Sequence, residues 1–148
     1  MEINGLPLHP LVVHAAVVLG PLAALAAILY AVLPGWRDGL RWPMVVLVLV
    51  ATAAIWTAYY TGINFRGTKD FFNQPPVAAK IDQHARYANI LRWVTTGLAV
   101  VAVAAAWLHA RVGTIRIVLS SALVVAGTVT LAYVVLTGEA GARSVWGS

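Results

Sequence analysis

Apolar residues fill four long stretches of this chain: Leu11 to Leu33, Met44 to Ile63, about Asn89 to Leu108, and Ile117 to Leu136. Polar and charged residues gather between them. A helix needs roughly 20 predominantly apolar residues to cross a bilayer, and each stretch is long enough. Backbone groups in hydrocarbon have no water to bond, so each span is expected as a helix. The pattern therefore predicts an all-α integral membrane four-helix bundle with antiparallel neighbours. It forms one unit over residues 1–148, with helices at about 10–33, 43–63, 80–109 and 115–137. Pro10 suits a first helical turn, where its missing N–H costs nothing. Pro34-Gly35 closes the first span, and Trp36 and Trp42 suit a membrane–water interface. The first and third connections are short and make helical hairpins. The middle one, Asn64 to about Lys80, contains Pro75-Pro76 and is expected on the membrane surface.

Four antiparallel spans put both termini and the long middle loop on one side, face A, and the two short turns on the other, face B. His9, His14 and His84 fall near face A. His109 falls near face B, as an interfacial residue at a helix end. The chain also reads as two hairpins in pseudo-repeat. Helix 2 closes on Thr61-Gly62 and helix 4 on Thr137-Gly138, with His14 lying 48 residues before Gly62 and His84 lying 54 before Gly138. Parallel repeats of this kind occur in membrane proteins. Thr-Gly is also an ordinary helix stop, so the repeat rests on the matched histidines.

Composition strengthens the membrane reading. Of 148 residues, 61% are hydrophobic and 10% charged, against about 25% charged in soluble domains. The net charge of +5 then reflects basic residues flanking the spans rather than a nucleic-acid partner. The first eight residues lack Lys and Arg, and the apolar run after them is too long for a cleaved signal peptide. There is no cysteine, which excludes disulfides, thiolate metal sites, cysteine-ligated iron–sulfur clusters and covalently attached haem c. No phosphate loop, HExxH pattern or nucleophile–base set occurs, and Ser120 and Ser121 lie near face B. An electron carrier or accessory subunit fits better than an enzyme.

The histidines are the candidate chemistry. His14 lies about one turn inside the first span, where a titratable ring is costly and by default marks a functional site. His84 heads a stripe at helical spacing, Ala88, Leu91, Thr95, Ala99, Ala102 and Ala106, with Trp93 on the opposite face. Small residues on one face permit close helix approach, so His84 is expected to point into the bundle. On helix 1 the small residues Ala16, Gly20, Ala23 and Ala27 lie roughly opposite His14. Either they pack on another subunit of a homo-oligomer, or they only reflect an alanine-rich chain.

Two inward histidines on different helices suit axial ligation of a b-type haem. His14 and His84 are the first pair, with His9 as substitute or supporting member, and Arg92 and Arg86 meeting the haem propionates. Lipid phosphate is an equal partner for Arg86. Depth counts against His14: it lies about 28 Å from the face B end of its helix, and His84 about 37 Å from His109, at 1.5 Å per residue. The difference needs tilt, a kink at Pro21, or His9 in place of His14. Other readings stay open. His9, His14 and His84 could bind copper or zinc, with Asp82 and Glu139 completing the shell. They could form a proton relay, although the apolar spans contain no acidic residue. Or they are structural, in a membrane scaffold or assembly subunit with no cofactor.

Several of these residues resemble a family of small bacterial membrane proteins, domain of unknown function 2231. The resemblance rests on Leu8-His9-Pro10 with His14, Thr61-Gly62, His84 at the head of helix 3, and the closing run Thr137 to Gly147. This chain has Ala15-Ala16 where the family often has an aromatic residue and proline. It has Gly141-Ala142 and Val145-Trp146 where the family's tail usually reads Gly-Gly and Val-Tyr. Family members are sometimes joined to Rieske or cytochrome c-like domains. The resemblance thus implies redox chemistry in the bacterial plasma membrane, with a Rieske or cytochrome c-like partner and with face A and both termini extracytoplasmic. Arg37, Arg41, Arg111 and Arg116 beside the short turns suit a cytoplasmic face B. Arg66, Lys69, Lys80, Arg86 and Arg143 on face A do not add to that distinction.

Overall fold

The computed structural model describes residues 2–3, 6–68 and 70–146. A short antiparallel pair, β1 (Glu2–Ile3) with β2 (Leu6–Pro7), leads directly into the first of four helices. These are α1 (Leu8–Val32), α2 (Arg37–Arg66), α3 (Val77–Trp107) and α4 (Thr114–Trp146). All four are long and apolar enough to cross a membrane. Each packs on two neighbours: α1 and α3 both touch α2 and α4, and they face one another across the diagonal. A 3₁₀ turn at Pro34–Trp36 joins α1 to α2, and another at Asp70–Asn73 sits in the longer connection. Gly113, between α3 and α4, takes a φ of 71°, a left-handed conformation that favours glycine.

The interior is built from small side chains. Ala23, Ala24 and Ala27 of α1 and Ala99, Ala102, Ala105 and Ala106 of α3 are buried, with Tyr30, Met44, Val48, Leu98 and Leu123 filling the space between. Large apolar residues such as Val18, Val46, Val100 and Trp107 point outward. Lipid solvates such residues as well as a protein core does, so the helices associate by close packing rather than by hiding bulk. The tightest approach is at Gly127 on α4. A Cβ there would lie 3.1 Å from the Ala24 carbonyl oxygen and 2.9 Å from Ile28 Cγ1.

Three sequence expectations change. Gly20, Ala23 and Ala27 are buried within this chain, so the small stripe of α1 is neither an intersubunit surface nor a by-product of composition. Helix α1 turns that stripe inward because the bundle needs small residues there, which leaves His14 exposed on the opposite side. The two Thr-Gly pairs are not helix stops. Helix α2 runs through Thr61-Gly62 to Arg66, and α4 through Thr137-Gly138 to Trp146. The fourth helix, expected to end at 137, continues to Trp146.

Candidate functional site

The site grows from the first turns of α1 and α3. His9 Nδ1 donates to the Ala58 carbonyl of α2 at 3.0 Å and lies 3.3 Å from Thr61 Oγ1. His84 Nδ1 donates to the Thr137 carbonyl of α4 at 2.9 Å. Each acceptor precedes by four residues the glycine that receives the ring. A Cβ on Gly62 would lie 2.9 Å from His9 Cε1, and one on Gly141 would lie 3.1 Å from His84 Cε1. The trios His9–Ala58–Gly62 and His84–Thr137–Gly141 are thus the same backbone arrangement in two hairpins. The pseudo-repeat exists, with His9 rather than His14 as the counterpart of His84, and Gly141 rather than Gly138 as the counterpart of Gly62.

A histidine clasped this way is defined chemically. Donation from Nδ1 fixes the tautomer with Nε2 as the free acceptor or ligand nitrogen. Neither Nε2 has a hydrogen-bond partner among the described residues. Both rings are half-buried. Phe65 stacks on His9 at 6.0 Å between centroids. Beneath the rings Ile55, Leu91 and Val134 form a small buried apolar cluster. The side chains around the clasps differ: buried Ala140 stands where the first half has Thr61, Thr137 where it has Ala58, and Ser144 where it has Phe65.

The remaining sequence candidates lie elsewhere. His14 bonds only to its own helix, Nδ1 to the Pro10 carbonyl at 2.6 Å, and is not brought to His84. Arg92 lies further along α3, its guanidinium 3.9 Å over the Tyr59 ring of α2. Arg86 is exposed. Asp82 pairs with Arg66 at 2.5 Å, and Glu139 with Arg143 at 2.5 Å, so neither acid joins the histidines. Among the described residues no three His, Asp or Glu side chains converge as a metal site.

A second polar cluster on face B lies outside the sequence expectations. Tyr30, fully buried, donates to the Ala105 carbonyl at 3.1 Å and shares a 2.9 Å bond with His109 Nδ1. His109 Nε2 meets Asp38 at 2.7 Å, and the Arg37 guanidinium lies 4.5 Å over the Tyr30 ring. All three bonds form together when His109 carries both ring protons. This cluster pins the α1–α2 turn to the end of α3. The visible signal was Tyr30 itself, the one aromatic residue in the small stripe Gly20, Ala23, Ala27.

Neither the curated proteins nor the solved structures contain a match to the chain. The family model described as "Predicted membrane protein (DUF2231)" matches residues 5–148. With nearly the whole chain covered and four membrane-crossing helices in place, this protein belongs to that family.

Proposed function

We propose that this membrane protein holds a b-type haem between His9 and His84 near one face of the bilayer and passes single electrons there. The observation that carries the reading is the matched pair of imidazoles, each with Nδ1 spent on a backbone carbonyl and Nε2 unbonded. Metal-ligating histidines characteristically give their other ring nitrogen to such an acceptor, which orients the ring and raises its basicity. The donor set fits haem, whose iron takes two axial nitrogens, better than zinc, which takes three or four protein ligands. Haem bound there supplies a one-electron couple. The protein orients the two imidazoles through their Nδ1 bonds and stacks Phe65 on His9.

In this reading face A is the extracytoplasmic side of a bacterial plasma membrane, with the arginines beside the short turns on the cytoplasmic side. The redox partner is then a Rieske or cytochrome c-like protein outside the cytoplasm, in keeping with the domains to which family members are sometimes joined. Visible absorbance of detergent-purified protein from haem-replete cells tests the proposal. A Soret band that shifts on dithionite reduction supports it, and a featureless spectrum overturns it.

A second reading has its own observation. Each histidine ties the face A ends of two helices together and fills a glycine notch, which stabilises a scaffold without any cofactor. In that case loss of either ring lowers thermal stability and no chromophore is present.

A further inference from the structure

One positive charge sits about one turn inside the face A end of the third apolar span, with no acid to meet it among the described residues. Arg92 lies about two turns along α3 from His84 and is partly buried. Its Nε donates to Asn89 Oδ1 at 2.9 Å, a neutral acceptor. The guanidinium lies against three rings, 3.9 Å from Tyr59, 4.6 Å from Trp56 and 5.4 Å from Trp93. Trp56 is itself held in place, its indole N–H donating to Thr96 Oγ1 at 2.9 Å. Among the described residues no carboxylate pairs with Arg92, and its two terminal nitrogens make no hydrogen bond. A cation at this depth is costly, and aromatic faces offset only part of that cost.

An apolar groove begins one turn further along. It runs between α2 and α3 from Thr52 and Thr96 to Trp107, past Leu49, Val100 and Val103. From Thr96 to Trp107 the helix rises about 16 Å, roughly half of a hydrocarbon core of about 30 Å. The groove lies along the outside of the bundle, where Leu49, Val100 and Trp107 are exposed. It fills from the bilayer, not from water.

We infer that the α2–α3 seam binds an anionic phospholipid, its phosphodiester on Arg92 and one acyl chain along this groove. The lipid belongs to the leaflet on the side of His9 and His84. Charge complementarity selects the headgroup. A guanidinium presents a planar fork that matches two phosphate oxygens, and its free terminal nitrogens supply the donors. A zwitterionic lipid offers the same phosphodiester but brings a quaternary ammonium that competes with Arg92 for it, so net charge sets the preference. Trp56 and Trp93 hold the guanidinium flat at the head of the groove, so headgroup and chain are recognised together.

Quenching of tryptophan fluorescence by brominated lipids in bilayers tests this, because Trp56, Trp93 and Trp107 border the site. Brominated phosphatidylglycerol is expected to bind about fivefold more tightly than brominated phosphatidylcholine, since one basic residue gains about 1 kcal/mol from a net anionic lipid. Arg92→Gln should bring that ratio close to one, and Arg111→Gln, exposed in the α3–α4 turn on face B, should leave it unchanged. Val100→Phe keeps the cation but fills the groove, and it should also remove the preference. It decides the matter if Arg92→Gln does not fold. Equal binding of the two lipids by the unmodified protein overturns the proposal. So does a preference that survives Arg92→Gln or Val100→Phe, or one lost equally in Arg111→Gln.

Discussion

His9 and His84 stand at equal depth: each lies twenty-three residues from the far end of its helix, His9 from Val32 and His84 from Trp107. At 1.5 Å per residue both are about 35 Å from face B. The 9 Å offset between His14 and His84 therefore needs neither tilt nor a kink at Pro21. It disappears once His9 takes the place of His14. The two rings stand at one level, on diagonal helices, each bonded through Nδ1 to a backbone carbonyl of the next helix.

The glycines beneath the rings should respond in a definite order. Gly62→Ala puts a methyl group 2.9 Å from His9 Cε1, so the ring must shift, at a cost of about 1–3 kcal/mol. Gly141→Ala is milder, since its Cβ would lie 3.1 Å from His84. Gly138→Ala meets nothing within 4 Å and should be neutral or stabilising, by up to about 1 kcal/mol from helix propensity. Thermal unfolding in detergent ranks the three. A Gly138 variant less stable than the Gly62 variant would contradict the clasp geometry.

Gly127→Ala should be as harmful as Gly62→Ala, for a different reason. The added methyl group meets the Ala24 carbonyl oxygen, and backbone yields less readily than a ring. Separation of α1 from α4, read as a lower melting temperature by at least that of Gly62→Ala, is the expected outcome.

Much of this was legible in the chain, and the exceptions have physical causes. Four spans followed from run length, and the inward face of α3 from its small residues. The same rule applied to α1 would have favoured His9, which shares a face with Ala16, Gly20, Ala23 and Ala27, over His14. His14 drew attention because it lies deeper in an apolar run, yet a ring near a helix end can point outward and bond its own backbone, as it does to Pro10. Thr61-Gly62 and Thr137-Gly138 read locally as stops. Helix continues there because neighbouring helices approach, a contact across 53 residues in the case of His9 and Gly62 that no local pattern contains. The Tyr30–His109 bond joins residues 79 apart and is invisible for the same reason.

That bond gives a further prediction. Tyr30→Phe removes a buried hydroxyl and leaves both the Ala105 carbonyl and His109 short of a partner, with an expected loss of about 1–3 kcal/mol. Asp38→Asn removes only an almost fully exposed partner of His109 and should cost less than about 1 kcal/mol. Equilibrium or thermal unfolding distinguishes them, and equal losses would mean that the cluster is held from Asp38 rather than from Tyr30.

His14→Ala should change stability by no more than about 0.5 kcal/mol, as expected of an exposed side chain bonded only to its own helix. A loss several times larger would place His14 in contacts that α1 does not provide.

The central claim is most directly tested by the optical spectrum of purified protein in which each histidine is replaced in turn. The protein and its His14→Ala and His109→Ala variants should show the same low-spin haem bands, shifting on reduction, and His9→Ala and His84→Ala should each abolish them. A spectrum without haem bands in the unmodified protein, or bands that survive in His9→Ala and vanish in His14→Ala, would contradict it.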